Sequence, residues 1–398
     1  MKKVICLLLL VLCVALSISV SSIFVFFKRK SHNITSPVPI HSLSPTHFIP
    51  QNYNGTNWMT VLFENSPELL DFKLNEMIIP GTHDSLTGCL YDKSCQFQYD
   101  WVKEKWLNKE LVDIIAPKYV ITQRLSPINQ ILEGVRYLDL RLWWNGTDWY
   151  GVHGLKDFAT TFKIEDFIEQ IRDKFISKNN REVLILNFDR FLSDDSTPPT
   201  FQDLENLALN TSQILGSSLI PVSTNILSYN DVFQNKSGNK VLIIWSDTIP
   251  NQVKNVFWNS SILNDCWAGH HPSGSDPQLN CCPDLPIKTW NKIQNCYIKP
   301  QMKQIYQNNF KNTQAHYQQP DIKTIKDILE FLEQITKSLV DRADTINEQL
   351  IKFLPSVTTK GSLNVVTMDG WKEDYLEYFY NVNQKLVTSY TSSQFLSK

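Results

Sequence analysis

The stretch VRYLDLRLWW, Val135–Trp144, decides how the rest of the chain is read. Side chains of a strand alternate between two faces, so Tyr137, Asp139 and Arg141 fall together on one face and Leu138, Leu140 and Leu142 on the other. SPINQILEG, just upstream, reads as a helical turn that feeds this strand. Downstream, DWYGVHG is a further short strand with His153 at its end, and Gly154 permits a turn there. Upstream again, LNEMIIPG is an apolar run stopped by Pro80 and Gly81, after which Thr82, His83, Asp84 and Ser85 follow in immediate succession.

The same alternation of elements continues. KIEDFIEQIRDKFISKNN places Ile164, Phe167, Ile168, Ile171, Phe175 and Ile176 at helical spacing. It leads into REVLILNFDRF, an apolar run of the kind that a strand buried on both faces shows. NKVLIIWSD is the next such strand, a long helix is expected in residues 322–354, LNVVTMDGW is the last strand, and a C-terminal helix closes the chain. Strands alternating with helices predict a parallel sheet. Several strands end in polar residues (His83-Asp84, Arg141, His153, Asp189, Asp247, Asp369), the habit of a TIM-type (β/α) barrel, possible in distorted or incompletely closed form. A doubly wound open sheet is the alternative.

The chain has 398 residues and a formal net charge of -2, without a long basic stretch in its body, which argues against a nucleic-acid partner. Its 11 Trp, 14 Tyr and 21 Phe suit a large core with aromatic residues left for clefts. Residues 1–30 carry an uncharged apolar run from Val4 to Phe27 between Lys2-Lys3 and Lys28-Arg29-Lys30. That run has the length of a bilayer span, so the expectation is a signal anchor, or a signal peptide if it is cut, with the body of the chain lumenal or extracellular. Residues 31–58, rich in Ser, Thr, Pro and Asn, read as a flexible stalk, and 59–398 as the folded domain. Sequons stand at Asn33, Asn54, Asn145, Asn210, Asn235 and Asn259. Cys89, Cys95, Cys266, Cys281, Cys282 and Cys296 lie beyond the leader and read as disulfide candidates of open connectivity. Residues 255–320, holding four of these Cys and the pair His270-His271, break the pattern and read as a disulfide-tied insertion; zinc is the weaker reading in an oxidising compartment.

Taken singly, Asp139 and Arg141 read as a buried ion pair, His83 as a turn residue and His153 as a rim histidine. As a set, two histidines with a guanidinium and carboxylates are the parts of phosphoryl transfer by general acid and base. PGTHDS, GVRYLDLRLWW, GVHG and EVLILNFDRF, in this order and at these intervals, resemble the X domain of phosphatidylinositol-specific phospholipase C, in particular its small X-domain-only, bacterial-like branch. The resemblance runs from about Asn75 to the C-terminal helix. It implies that His83 takes the proton of the inositol 2-hydroxyl, that His153 protonates the departing diacylglycerol oxygen, and that Arg141 binds the phosphoryl oxygens. Asp84 would partner Arg141 and His153, Asp139 would help to hold Arg141, and Asp369 would orient His83.

The resemblance also implies a calcium-independent enzyme without cofactor or metal. Calcium-dependent members carry Asn after the first histidine and acidic residues on the next strand, where this sequence has Asp84 and Arg141. A guanidinium can bind phosphoryl oxygens bidentately in place of a cation. Asn187, Asp189 and Trp245 are candidates for contact with the head group; where bacterial members keep a cationic residue, this chain offers Trp245 and Asp247. The partner implied is a phospholipid or glycolipid at a membrane surface, and the pattern sets no oligomeric state. Two other readings compete: a glycerophosphodiester phosphodiesterase-like enzyme, against which the sequence THDS argues, and a membrane-anchored binding glycoprotein without catalysis.

Overall fold

The structure is a computed structural model that describes residues 53–97, 117–118, 120–153, 159–193, 197–234, 238–266, 294, 309–315 and 338–396. Its strands are β1 (Ile79–Thr82), β2 (Tyr137–Trp144), β3 (Trp149–Val152), β4 (Ala159–Lys163), β5 (Val183–Ser193), β6 (Lys240–Trp245), β7 (Phe257–Asn259), β8 (Leu263–Cys266), β9 (Phe310–Ala315) and β10 (Val365–Met368). Its α-helices are α1 (Trp58–Asn65), α2 (Gly88–Tyr91), α3 (Pro127–Leu132), α4 (Ile164–Ile171), α5 (Phe201–Leu215), α6 (Tyr229–Phe233), α7 (Leu339–Phe353) and α8 (Leu376–Leu396).

Eight strands pair in the order β7-β6-β5-β2-β1-β10-β9-β8, and every pair along this path is parallel. The two end strands, β7 and β8, follow one another in the chain through the single turn Ser260–Ile262. One short turn cannot join opposite edges of a flat sheet, so the sheet curls into a barrel. Among the described residues no ladder joins β7 to β8, so the barrel is incompletely closed. β5 and β6 are buried along most of their length, which explains their continuous apolar sequence. Helices α5, α6 and α7 each begin with a capping box, on Thr200 and Asp203, Ser228 and Asp231, and Ser338 and Asp341.

Two features depart from a plain alternation of strand and helix. β2 and β3 are antiparallel, with Leu142 opposite Gly151 and Trp144 opposite Trp149. Residues 145–148 form too short a link for a parallel crossover, which takes a dozen or more residues, so the chain turns back on itself. The stretch read as an insertion carries sheet strands at both its ends: β7 and β8 on one side, β9 on the other.

The expected single-pass membrane protein is corrected. Among the described residues no helix is long and apolar enough to cross a membrane. The long helix α8 carries Glu377, Asn381, Asn383 and Lys385, and Asn383 bonds both ways with the backbone of Ile78 at 2.9 and 2.7 Å. It is a packing helix of the barrel. The apolar run of residues 1–30, and the stalk up to residue 52, lie outside the described residues. Of the sequons, Asn54, Asn145, Asn210 and Asn259 are exposed, and Asn33 and Asn235 lie outside the described residues. Cys89 and Cys95 form a disulfide. Cys281, Cys282 and Cys296 lie outside the described residues, and Cys266 closes β8.

Candidate active site

Sheet order assembles the site. β1 lies between β2 and β10, so the residue that follows β1 is flanked by the outer ends of both neighbours. Gly81 makes this close approach possible: a Cβ there would meet Tyr137, Val365 and Thr367 at 3.0, 3.1 and 3.2 Å. His83 Nδ1 stands 3.1 Å from Asp369 Oδ1, across 286 residues of sequence. The hairpin of β2 and β3 returns His153 to the same end, and the two imidazole rings lie 6.1 Å apart between centroids.

Asp84 is the centre of the cluster. Its backbone is left-handed, with φ 43° and ψ 50°, a conformation that costs a residue with a Cβ about 1–2 kcal/mol. Hydrogen bonds to its carbonyl from Thr87 Oγ1 at 2.9 Å and Thr122 Oγ1 at 3.2 Å offset that cost. The turn delivers the Asp84 carboxylate into the site, where Oδ1 meets Arg141 Nε at 2.9 Å. Its other oxygen, Oδ2, lies 3.4 Å from His83 Nε2 and 3.3 Å from His153 Nε2. Arg141 Nη2 is 3.1 Å from Asp139 Oδ2, and Arg141 Nε is 3.6 Å from Asp189 Oδ2. A β-bulge against β5 sets Asp139 opposite Asn187 but Arg141 opposite Arg190, so Asp189 is the extra residue at this point.

Proton positions follow from the partners. The carbonyl of Val120 accepts from His153 Nδ1 at 2.9 Å, and a carbonyl can only accept, so Nδ1 carries a proton and Nε2 faces Asp84. Asp369 engages Nδ1 of His83, which likewise leaves Nε2 as the nitrogen turned to Asp84. Burial pushes the Asp369 carboxyl well above the ordinary carboxylate range, and the charge of Asp84 pushes it further; Arg141 pulls it back, and Asp139 adds a smaller push.

His83, Asp84, Asp139, Arg141 and Asp369 are all buried, whereas the His153 side chain is 21% exposed and that of Asp189 28%. The open side of the cluster is therefore the side of His153 and Asp189. Asn187 is buried below Asp189 on β5. Trp245 is fully buried, packed on Phe188, Phe191 and Phe257 with ring centroids 5.0, 4.7 and 5.4 Å away. Its ring belongs to the core and offers no surface to a head group. Asp247, beyond it, is exposed. The Val120 carbonyl had no signal in the sequence, since any residue would supply it.

His83, Asp84 and Asp139 present ligand atoms within 4.8 Å of one another, close enough for a metal ion. The Arg141 guanidinium touches both carboxylates, so an ion among them would face a fixed positive charge. The donor set suits a guanidinium-filled site better than a divalent cation, which wants several oxygens to itself.

The barrel is one already seen in solved structures. The phosphatidylinositol-specific phospholipase C of Listeria monocytogenes matches with a TM-score of 0.51, over 83% of this chain and 99% of its own, at 15% identity. That of S. aureus matches with a TM-score of 0.54, over 83% and 98%, at 14% identity. Among curated proteins, human PI-PLC X domain-containing protein 1 is 36% identical over 146 residues, covering 35% of this chain and 44% of its own. Human PI-PLC X domain-containing protein 2 is 29% identical over 172 residues, covering 42% and 52%. The chain thus spans about half the length of the curated relatives it matches. No family model matches it. Over that part the chain is similar to PI-PLC X domain-containing proteins, and its barrel is similar to those of the two bacterial enzymes.

Proposed function

We propose that this chain is a phosphoric diester lyase that cleaves phosphatidylinositol, or a related inositol lipid, without a metal ion. One observation carries the reading: the Nε2 atoms of His83 and His153 both converge on Asp84 Oδ2, at 3.4 and 3.3 Å, beside the Arg141 guanidinium. Two proton-transfer groups aimed at one point, with a fork of donors next to it, suit in-line displacement at phosphorus.

His83 Nε2 takes the proton of the inositol 2-hydroxyl, whose oxygen attacks phosphorus. As that bond forms, the bond from phosphorus to the glycerol oxygen breaks, and His153 Nε2 gives its proton to the departing oxygen. The products are a cyclic inositol phosphate and diacylglycerol, and the second histidine is left ready to take a proton from water. Arg141 holds the phosphoryl oxygens, and Asp84 and Asp139 hold Arg141. Asp369 keeps His83 in the tautomer that exposes Nε2.

The test is turnover of radiolabelled phosphatidylinositol by the purified protein in EDTA. Cyclic inositol phosphate supports the reading. Metal-dependent release of glycerol phosphate supports the glycerophosphodiesterase alternative, and no product from a folded sample supports a binding role. Arg141→Lys keeps the charge and loses the planar fork, so it should fail badly, because Arg and Lys are not interchangeable at a bidentate phosphate site. An Arg141→Ala variant as active as the parent in EDTA ends the guanidinium mechanism.

A further inference from the structure

Beyond the residues that touch the reacting atoms, one side chain holds two of the strands that carry them. Gln123 is fully buried. Its Nε2 donates to the carbonyl of His83 at 3.0 Å and to that of Met368 at 2.9 Å. Its Oε1 accepts from the backbone N–H of Trp371 at 3.2 Å. These are the places where the ladder between β1 and β10 runs out. Thr82 still pairs with Met368, and His83 N–H donates to Met368 O at 3.1 Å. Past that bond the two strand ends are free to splay, yet the residues immediately beyond it are His83 and Asp369.

We propose that Gln123 is the positioning residue of the His83–Asp369 pair: its carboxamide clamps the two strand ends together and so sets the distance between imidazole and carboxylate. Only an amide of this reach suits the position. Its two N–H groups each take one carbonyl, and its oxygen takes the N–H of the turn after Asp369. The neighbouring backbone is pinned in the same sense. Gly370 N–H donates to the Thr122 carbonyl at 2.6 Å, and Thr122 Oγ1 donates to the His83 carbonyl at 2.9 Å. Two residues earlier, the Val120 carbonyl receives His153 Nδ1–H. A single run of chain, Val120–Gln123, thus mounts both histidines. Of the charged groups that face His83, Asp84 comes from its own turn, Asp139 and Arg141 from β2, His153 from β3 and Asp369 from β10. Asp369 is the one whose strand end Gln123 holds.

The role rests on the lyase reading for its kinetic consequence but not for its structural one, and the experiment separates the two. Gln123→Met keeps the length and burial of the side chain and removes all three hydrogen bonds. A misplacement of about 1 Å can cost about 10²-fold in rate, so kcat should fall on that scale with KM changed by less than about threefold. A nearby carboxylate favours the imidazolium; releasing it lowers the His83 pKa, so the acid limb of the kcat/KM profile should move to lower pH. Histidine side-chain nitrogen NMR on the ligand-free full chain should show the same downward shift for His83. In an Asp369→Asn background, Gln123→Met should cost no more than about threefold, since the group it positions is already gone. Gln123→Leu, uncharged and equally unable to donate to either carbonyl, should show the same His83 shift if Gln123→Met does not fold. A His83 titration and a kcat equal to the parent's in a folded variant overturn the clamp, as does an undiminished loss in the Asp369→Asn background. If the parent proves inactive but its His83 titration still moves in Gln123→Met, the lyase reading falls and the clamp stands.

Discussion

Two arginines five positions apart in the chain, one just before β2 and one in its second half, do opposite things. Arg136, just before β2, is fully buried and donates to Glu182, Ile131, Val135 and Gly55 at 2.6–2.9 Å, so its fork is met by one carboxylate and three carbonyls. Glu182 in turn accepts from Thr60 N–H and Oγ1, both at 2.8 Å, which ties helix α1 to the barrel floor. Burial pushes Glu182 up and Arg136 down, while each partner pulls the other back. The floor is a one-to-one pair with its donors used, and it is structural.

At the other end Arg141 faces Asp84, Asp139 and, further off, Asp189, with Asp369 close behind His83. One guanidinium cannot neutralise the three buried carboxylates Asp84, Asp139 and Asp369; the partly exposed Asp189 has Arg190 nearer, at 3.3 Å. The surplus shows in Asp369, whose carboxyl burial and the charge of Asp84 push well above the ordinary carboxylate range. The two ends differ in how charge is met: one carboxylate to one guanidinium at the floor, more buried carboxylates than fixed cation at the site.

The largest expected effect is at the upper end. His83→Ala and His153→Ala should each lose about 10²–10⁴-fold in kcat/KM, with an unfolding midpoint near the parent's. Either variant at near-normal turnover breaks the proposed assignment. The floor should respond in the other sense. Arg136→Met strands Glu182 in the interior and should cost about 3–5 kcal/mol in urea unfolding, while the folded fraction keeps its specific activity. A loss of activity without a loss of stability there would erase the contrast between the two arginines.

The smallest effect sharpens it. The Asp369 carboxyl is raised in the folded state, so ionising it opposes folding: stability is complete below the ordinary carboxylate range and is lost as pH rises through the raised value. Asp369→Asn removes that loss. The variant should match the parent at pH 3–4 and be the more stable of the two near neutrality, while being the poorer catalyst. Denaturant titrations across that range decide it, and a variant less stable than the parent at neutral pH contradicts the cause given for the shift.

Much of the site was legible because strands write their faces into the sequence. Tyr137, Asp139 and Arg141 are read as one face from alternation alone, and the apolar runs of β5 and β6 announce burial on both sides. The motif around His83 and the run ending in Asp369 were visible as strand ends. Trp245 shows the limit. Its place near the tip of a middle strand, where the resemblance puts a head-group contact, made it a candidate, but register sets it opposite Phe188, on the face turned away from Asn187.

What the sequence by itself determined, then, is local: which segments are strands, which residues share a face, and which motifs resemble the X domain. Periodicity reports the environment of one element and is blind to its neighbours. Only the tertiary structure decided that β1 lies between β2 and β10, which brings His83 to Asp369. It alone decided that β3 folds back to carry His153 over Asp84, that Asp84 takes a left-handed backbone, and that Gln123 stands behind two strand ends. Strand order in a parallel sheet is set by long crossovers whose packing leaves no short-range mark, and a backbone carbonyl that fixes a tautomer has no residue type to be recognised by.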